Sequence, residues 1–365
     1  MSAFYRNRLL RFDEISLKTL RQLDRDTTIV MLPLGMLEVH GEHLPLGTDN
    51  FAVESLTLAS GAWLLDNLPD WWILQMPMMP FGTDPIDTRR PDLFGGAGSI
   101  SLRVETLHAV LFDVLDRVLQ FGFKYVFPLG FHAGPNQSRV LASVCRDLRE
   151  RYPGRVVYEP MGYILAGAEL DAQPGLATLL GRPLSANEQV ALNASIHASM
   201  FETSMMLYLR PELVDPVYKT LGSIEWHQIY QLENWPGYVG AGPRHAEAQI
   251  GAAVLRWRGA RAGALVRRAI GGEDLSQLLR HPKYDHTEPA QIPEPTPPPQ
   301  ASVDQHPEQY FSAHDVRELA KKGHDHTLTP TSSTMETRPL PLKLDREETA
   351  VNVPSEESSP SNNEE

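Results

Sequence analysis

The sequence has very little cysteine: Cys145 is its single cysteine in 365 residues. One cysteine cannot form an intramolecular disulfide, and a zinc site built from several cysteines is excluded. The simplest interpretation of Cys145 is a small buried residue inside a helix. The chain therefore fits a reducing compartment, and a metal site in it would use other side chains.

Positive charge is also scarce. The chain has 33 Lys and Arg against 46 Asp and Glu, which gives a formal net charge of -13. The basic residues do not cluster into a stripe, and binding of phosphates needs a basic face. We therefore expect no nucleic-acid partner.

Long apolar runs are missing as well. The segment "MSAFYRNRLLRFDEISLKTLRQLD" mixes charged with apolar residues throughout. It has neither the apolar centre of a signal peptide nor the length of apolar sequence that crosses a bilayer. The sequence predicts a cytoplasmic protein with no membrane partner.

Two sequence motifs that would indicate other chemistries do not occur. The sequence has no glycine-rich phosphate loop of the G-x-G-x-x-G or Walker type, so nucleotide-dependent chemistry has no support. It also has no G-x-S-x-G nucleophile elbow.

Composition divides the chain near residue 275. Residues 1–275 predict one globular domain, whereas 276–365 contain the proline-rich "EPAQIPEPTPPPQ" and end in an acidic, serine-rich segment. A segment with so little to bury is predicted to be a disordered tail. Its "HDH" at 324–326 could in principle bind a metal, but ordering such a segment is costly, so we favour no metal role there.

Strands and helices alternate through the globular part. Apolar strands are predicted at 27–35, 71–80, 124–130 and 155–160, and helices at 50–68, 103–122 and 136–152. Nearly continuous apolar strands separated by helices indicate a mostly parallel sheet covered on both faces. We predict an α/β fold, a three-layer α/β/α sandwich.

Polar residues follow two of these strands. The segment "GMLEVHGEHLPLGTDN" (35–50) follows the first, and "FHAGPN" (131–136) follows the third. Ligand sites of parallel sheets lie beyond the carboxyl ends of the strands. Both loops should therefore open on the same edge of the sheet.

The first loop contains a candidate metal site. Glu38 and His40 are one residue apart, so in an extended chain both side chains point to the same side. Asp49 begins the next helix, and His132 lies on the neighbouring loop. Carboxylates and imidazoles suit Zn, Mn or Fe. The residues alone leave an alternative open, in which Asp49 caps a helix and the loop is solvated.

A later segment, "LNASIHASMFETSMMLYL", adds two candidates. On one continuous helix His197 and Glu202 would point about 140° apart, because each residue turns the helix by about 100°. The backbone must bend between them if both serve one site. Alternatively, His197 belongs to an amphipathic helix and "ETS" to an N-terminal capping box.

Four segments taken together resemble the creatininase family of metal-dependent amidohydrolases. They are "LPLGMLEVHGEHLPLGTDN", "GFKYVFPLGFHAGPN", "HASMFETSMMLYLRPELV" and "GYVGAGPRHAEAQIG", in order over roughly residues 10 to 270. The first is the most specific, because it matches the family pattern E-x-H-G-x-H-L-P-x-x-T-D from Glu38 to Asp49 without a gap.

The resemblance implies roles for the matching residues. Glu38 and His40 look like ligands of two different metal ions, and Asp49 looks like the carboxylate that bridges them. His132 looks like a ligand of the first ion. Two divalent ions per subunit are implied, with Zn, Mn and Fe all open.

Three further positions also match. His197 falls on the family histidine of acid–base catalysis. Glu202 is both a catalytic candidate and a candidate metal-site carboxylate. His43 falls outside the ligand set and is expected to support it, whereas Glu42 is expected to be solvated.

The sequence departs from the family at two loops. Gly134 stands where creatininase has a glutamate two residues after the histidine, and Asn136 comes one place late for the related family pattern. The second ion would therefore lack its usual ligand or take Glu202. The segment "GAGSISL" has Ser99 for threonine and lacks a preceding histidine, so creatinine itself is not assumed as substrate.

The resulting hypothesis is hydrolysis of a carbon–nitrogen bond in a cyclic or small linear amide by a metal-activated water. The predicted partner is a small-molecule amide substrate, and the resemblance implies a homo-oligomer, a hexamer. One alternative is a creatininase-like peptidase acting on a modified peptide. Another is a catalytically silent, metal-stabilised binding protein.

Overall fold

The computed structural model describes residues 8–94, 98–160, 175–189 and 195–277. The predicted tail lies outside the described residues from position 278 onward, so its predicted disorder stays a prediction. None of the described helices combines the length and the apolar character that a membrane crossing requires.

The core of the fold is a five-stranded sheet in the order β1-β3-β2-β4-β5, with every neighbouring pair parallel. Its strands are β1 Leu9–Arg11, β2 Thr28–Leu34, β3 Trp72–Gln75, β4 Tyr125–Gly130 and β5 Val156–Val157. Of the predicted strand 71–80, the regular part is Trp72–Gln75, and an isolated bridge to β2 follows at Met79, whose N–H donates to the carbonyl oxygen of Pro33 at 2.9 Å. Pro77 between them has no N–H for a ladder hydrogen bond.

The described residues contain the predicted helices and others that were not predicted. They are α1 Leu17–Gln22, α2 Thr48–Asn67, α3 Pro91–Phe94, α4 Val104–Gln120, α5 Pro135–Arg151, α6 Met200–Leu209 and α7 Ala248–Ile270. Short helical stretches also occur at 175–180 and 186–189. The three helices predicted at 50–68, 103–122 and 136–152 correspond to α2, α4 and α5.

Side chains of the central strands alternate between two apolar cores. Ile29 and Met31 of β2 pack on the face covered by α2 and α7. Val30 and Leu32 pack on the opposite face, against α4 and α5. Cys145 of α5 is 2% exposed in this second core, as predicted. The three-layer α/β/α prediction is confirmed.

Strand order places a crevice between β2 and β4. The chain runs from β2 to β3 on one side and then crosses to β4 on the other side of β2. Such a switch point opens a crevice beyond the carboxyl ends of the two strands, where ligands bind in folds of this type. The two polar loops predicted to share an edge both leave the sheet here.

A small antiparallel pair stands apart from the main sheet. It joins β6 Ser195–His197 to β7 Val239–Gly240. The N–H of Met200, the first residue of α6, donates to the carbonyl oxygen of Ala241 at 3.1 Å. This pairing holds the end of β6 and the start of α6 in place.

Candidate metal centre

Three chain segments meet in the crevice: the loop after β2, the loop after β4 and the turn between β6 and α6. They bring together a six-residue cluster of Glu38, His40, Asp49, His132, His197 and Glu202. Five of these residues are at most 9% exposed. The Glu202 side chain is 15% exposed. All six residues predicted for the site therefore lie in one place.

A tight turn returns the first loop to the site. The N–H of Glu38 donates to the carbonyl oxygen of Leu46 at 2.9 Å, and the hydroxyl of Thr48 donates to that of Pro45 at 2.7 Å. Because β2 already ends at Leu34, Glu38 reaches the cluster from this loop and not from an extended strand.

Asp49 lies in the first turn of α2, whose N-cap is Gly47 with no side-chain cap hydrogen bond. Asp49 therefore does not occupy the N-cap position that the alternative interpretation gave it. Its Oδ2 lies 3.4 Å from His132 Nδ1, and its Oδ1 lies 3.4 Å from His40 Nε2. The two oxygens of this carboxylate thus face two different histidines.

Two further carboxylates complete two groups around Asp49. Glu38 Oε2 lies 2.8 Å from His132 Nδ1, and Glu202 Oε2 lies 3.7 Å from His40 Nε2. We call Glu38, Asp49 and His132 the first group, and His40, Asp49 and Glu202 the second group. Within each group the donor atoms lie within 4.8 Å of one another. Asp49 belongs to both groups, as a bridging ligand would.

His197 belongs to a third, overlapping group with Glu38 and His40. Its Nδ1 is 3.9 Å from Glu38 Oε2, and its ring centroid is 4.3 Å from that of His40. His197 therefore touches the cluster from the side of the β6 strand.

Each of the three histidines gives one ring N–H to a backbone carbonyl. His40 Nδ1 is 3.0 Å from the carbonyl oxygen of Glu38, His132 Nε2 is 3.1 Å from that of Thr83, and His197 Nε2 is 2.7 Å from that of Val39. A carbonyl oxygen only accepts, so these nitrogens carry the proton. The other nitrogen of each ring then faces the carboxylates, which is the orientation of metal-binding histidines.

The carboxylates and histidines of the cluster strongly shift one another's pKa values. Burial alone would raise the pKa of Asp49, but His40 and His132 bring it well below its usual range. Burial alone would lower the pKa of His40, but Asp49 and Glu202 raise it to about 10. Glu38 and Asp49 likewise hold the pKa of His132 well above its usual value, against the effect of burial. Without a metal, protons on these rings therefore supply the positive charge.

The pKa values of Glu202 and His197 shift in the opposite sense. Burial raises the pKa of Glu202 to about 7, against the attraction of His40. Burial lowers the pKa of His197 to about 4, against the attraction of Glu38. His197 is therefore neutral at pH 7 and can accept a proton at Nδ1.

The cluster fits a divalent cation. In the described part of the chain, the ion-pair partners of its three carboxylates are histidines, with no Lys or Arg among them. Within the cluster, His40 Nε2 and Asp49 Oδ2 are buried without a hydrogen-bond partner, and Glu38 Oε2 faces the His132 ring at 2.8 Å. Buried carboxylates need compensating positive charge, which a divalent cation between the carboxylates and the imidazoles would supply in place of the ring protons. Mixed carboxylate and imidazole donors suit Zn, Mn and Fe.

The bend expected between His197 and Glu202 is present. His197 ends β6, α6 begins at Met200, and Ala198 between them has a φ of 48°. The N–H of Ala198 donates to Glu202 Oε2 at 2.5 Å. The side chain of Glu202 therefore closes the turn that brings it beside His40.

The altered loop after β4 contributes one side chain to the cluster. A Cβ on Gly134 would lie inside contact distance of His132 Nε2 and 2.8 Å from the carbonyl oxygen of Asp84. No side chain fits there in this geometry. Asn136 instead accepts a hydrogen bond from Arg139 along α5. The carboxylate beside His40 and Asp49 comes from Glu202.

Several groups around the cluster were not predicted from sequence. The N–H of Ile86 donates to Glu38 Oε1 at 2.5 Å, and the hydroxyl of Ser99 accepts from the N–H of Val39 at 3.0 Å. Asp84 has a φ of 66°, and its carboxylate accepts from the N–H of Asn136. Backbone groups leave no sequence signal, although Asp is enriched in left-handed conformations.

Comparison with known proteins gives consistent matches. The family model Creatininase, described as creatinine amidohydrolase, matches residues 13–266. A mycofactocin precursor peptide peptidase from Mycobacterium ulcerans (strain Agy99) is 24% identical over 218 residues, which cover 59% of this chain and 71% of the relative.

Solved structures show the same fold. A candidate creatinine amidohydrolase from Bacteroides fragilis NCTC 9343 superposes with a TM-score of 0.52 at 20% identity, covering 73% of this chain and 98% of the other. A creatininase superposes with a TM-score of 0.51 at 19% identity, covering 71% and 97%. A manganese form of creatininase gives a TM-score of 0.50 at 21% identity, covering 71% and 98%.

Proposed function

This chain belongs to the creatininase family, and on that premise we propose that it is a hydrolase that binds two divalent ions and cleaves a carbon–nitrogen bond in a cyclic or small linear amide. The observation that supports this most is the facing arrangement of the cluster. Three histidines are anchored to backbone carbonyls through one ring nitrogen, and the other nitrogen of each ring faces the largely buried carboxylates of the cluster, as ligands of a shared cation would. A solvated loop would not orient its side chains in this way.

The chain's own residues divide between two ions. Glu38 and His132 would hold one ion, His40 and Glu202 the other, and Asp49 would take part in both. Manganese is one candidate, because a manganese form of creatininase is among the similar structures. A divalent ion in such a site lowers the pKa of a water molecule and polarises a substrate carbonyl.

His197 is the proposed acid–base residue. Its Nε2–H is committed to the carbonyl oxygen of Val39, so Nδ1 is the atom that can exchange a proton. Burial keeps this ring neutral at pH 7, which is the state that a general base needs. Nδ1 would take a proton from the attacking water and deliver it to the departing nitrogen. The catalytic role of Glu202, as a carboxyl group that would share this proton, stays a prediction.

A second candidate function is cleavage of a modified peptide. It is favoured by the similarity to a mycofactocin precursor peptide peptidase. Gly134 and Ser99 lie beside the cluster and differ from the pattern of creatininase itself, so creatinine is not assumed as the substrate.

The proposal is tested by metal analysis and substrate panels on the same preparation. Full-length protein purified without a metal-affinity tag is measured for Mn, Zn and Fe, and then assayed with lactams, creatinine and short peptides. We expect about two ions per chain and hydrolysis in one substrate class. Activity on peptides but not on small amides would select the peptidase.

Two other outcomes would contradict the proposal. Protein that acquires no ion from Mn²⁺ or Zn²⁺ solutions refutes the metal centre itself. Protein that binds two ions but hydrolyses nothing in the panel supports the catalytically silent binding protein instead. Glu38→Ala serves as the matched negative in every assay.

The predicted homo-oligomer and cytoplasmic location stay predictions. Light scattering on the purified full chain tests the first, and a molecular mass equal to that of a single 40.8 kDa chain would contradict it.

A further inference from the structure

Ala198 is a crossing point of hydrogen bonds beside the metal centre. Its N–H donates to Glu202 Oε2, and its carbonyl oxygen accepts from His43 Nε2 at 3.0 Å. It is fully buried and has a φ of 48°, a left-handed conformation that a residue with a Cβ adopts at a cost. One strained backbone unit therefore connects His43 to the second group.

His43 holds Ala198 in this strained conformation from the side of its carbonyl group. Because the Ala198 carbonyl can only accept, His43 Nε2 carries its proton, and this nitrogen also lies 3.1 Å from the hydroxyl of Thr203. A buried residue in a disfavoured conformation persists only where its surroundings fix it. The His43 hydrogen bond is such a constraint on the carbonyl side of Ala198.

The imidazole of His43 is itself locked. It is 1% exposed, and it packs edge-on against Tyr238 with ring centroids 5.8 Å apart. A Cβ on Gly41, whose φ is 68°, would lie 2.8 Å from His43 Nδ1. Only a glycine at that position leaves room for the ring, so the loop after β2 is shaped to present Nε2 to Ala198.

We infer that His43 is a positioning residue for the second metal ion, acting through the backbone of Ala198 to set the carboxylate of Glu202 beside His40. This inference rests on the proposed function, because it presumes that ions bind in the cluster. His43 touches none of the first group's donor atoms in its described hydrogen bonds. Its influence should therefore fall on the second ion and spare the first.

The two metal affinities distinguish a positioning role of His43 from a general structural role. A residue that only stabilised the fold would weaken both ions together, whereas a positioning residue weakens one. Removal of groups that orient metal ligands usually costs 10- to 100-fold in metal affinity. We expect the dissociation constant of the second Mn²⁺ ion to rise by about that factor in His43→Leu, with the first changed less than about twofold.

The experiment uses full-length protein stripped of metal. Its titration with Mn²⁺ is measured by calorimetry, and the bound metal is then counted by elemental analysis after dialysis. Four proteins are compared: wild type, His43→Leu, His43→Gln and Thr203→Val. His43→Gln keeps an N–H near the position of Nε2 and should restore the second ion. Thr203→Val removes the other contact of Nε2 but leaves the Ala198 carbonyl with its donor, so it should bind both ions.

Selective loss of the second ion in His43→Leu, with rescue in His43→Gln, supports the inference. Wild-type affinities for both ions in His43→Leu, or equal weakening of both, overturn it. If His43→Leu does not fold, His43→Asn removes the same hydrogen bond with a smaller polar side chain, and the same two outcomes apply. A wild-type chain that binds no Mn²⁺ refutes the proposed function instead.

Discussion

His197 donates its Nε2–H to the carbonyl oxygen of Val39 over 2.7 Å, and both groups are buried. Val39 lies between Glu38 and His40, so this hydrogen bond joins the acid–base candidate to the centre of the metal-binding motif. It also fixes which nitrogen of His197 faces the cluster. The relationship suggests how to separate its role from that of a metal ligand.

His197→Gln should keep the ions and lose turnover. The amide can still donate to the Val39 carbonyl, but it cannot accept and release a proton as Nδ1 does. We expect kcat to fall by about 10²- to 10⁴-fold, the usual contribution of a general acid–base residue. Metal content by elemental analysis should stay at the wild-type level. A loss of one ion in this variant would show that His197 is a ligand.

Glu38→Gln should remove the first ion. The neutral amide keeps the size of the side chain but lacks the charge that faces His132 at 2.8 Å. We expect a fall of at least about 100-fold in activity, together with a loss of bound metal. The matched control is Glu42→Gln on the same loop, because Glu42 is exposed. Equal effects of the two substitutions would contradict the assignment.

Metal binding should release protons. In the metal-free protein the pKa of His40 is raised to about 10 and that of His132 is raised well above its usual value, so both rings are protonated at pH 7. A metal ion needs their neutral forms, so up to about two protons should leave per chain. Affinity should therefore weaken as the pH falls.

Calorimetry in buffers of different ionisation enthalpy measures the number of protons released. A binding enthalpy that does not depend on the buffer would show that the two histidines are already neutral. Titration of Glu38→Gln with Mn²⁺ is the comparison, because a variant that binds only the second ion should release the proton of His40 and not that of His132.

Gly134→Ala should disturb the first ion without contributing a new ligand. The added Cβ would press against the ring of His132 and the carbonyl oxygen of Asp84. We expect weaker metal binding by about 10-fold or more, since the ring nitrogen that anchors His132 must move. Gly222→Ala is the control, because a Cβ there meets nothing within 4 Å. Unchanged metal affinity in Gly134→Ala would show that the loop adapts.

Substitutions of Asp84 should rank by backbone conformation. Its φ is 66°, and its carboxylate caps α5 through the N–H of Asn136. Asp84→Asn keeps an acceptor and tolerates this conformation, Asp84→Gly loses the acceptor alone, and Asp84→Ala loses both advantages. We expect Asp84→Ala to lower the free energy of unfolding by about 1–3 kcal/mol, and Asp84→Asn by the least. Urea denaturation measures the order, and equal losses would contradict it.

Local patterns predicted much of the fold. The apolar strands and the helices between them follow from side-chain periodicity, and β2, α2, α4, β4 and α5 lie close to their predicted positions. The strand predicted at 155–160 is only Val156–Val157 in the structure. Strand ends depend on which neighbour is available for pairing, and that information does not reside in the segment itself.

The sequence by itself determined which chemical groups are present: Glu38, His40 and Asp49 within one short motif, and the absence of cysteine ligands. Only the tertiary structure decided how they face one another. The hydrogen bond from His43 to Ala198 spans 155 positions, and that from His197 to Val39 spans 158. The tautomer of each ring, the turn that delivers Glu202 and the exclusion of a side chain at Gly134 all depend on such distant contacts. Any residue can supply a carbonyl or an N–H, so the sequence shows no sign of which one will.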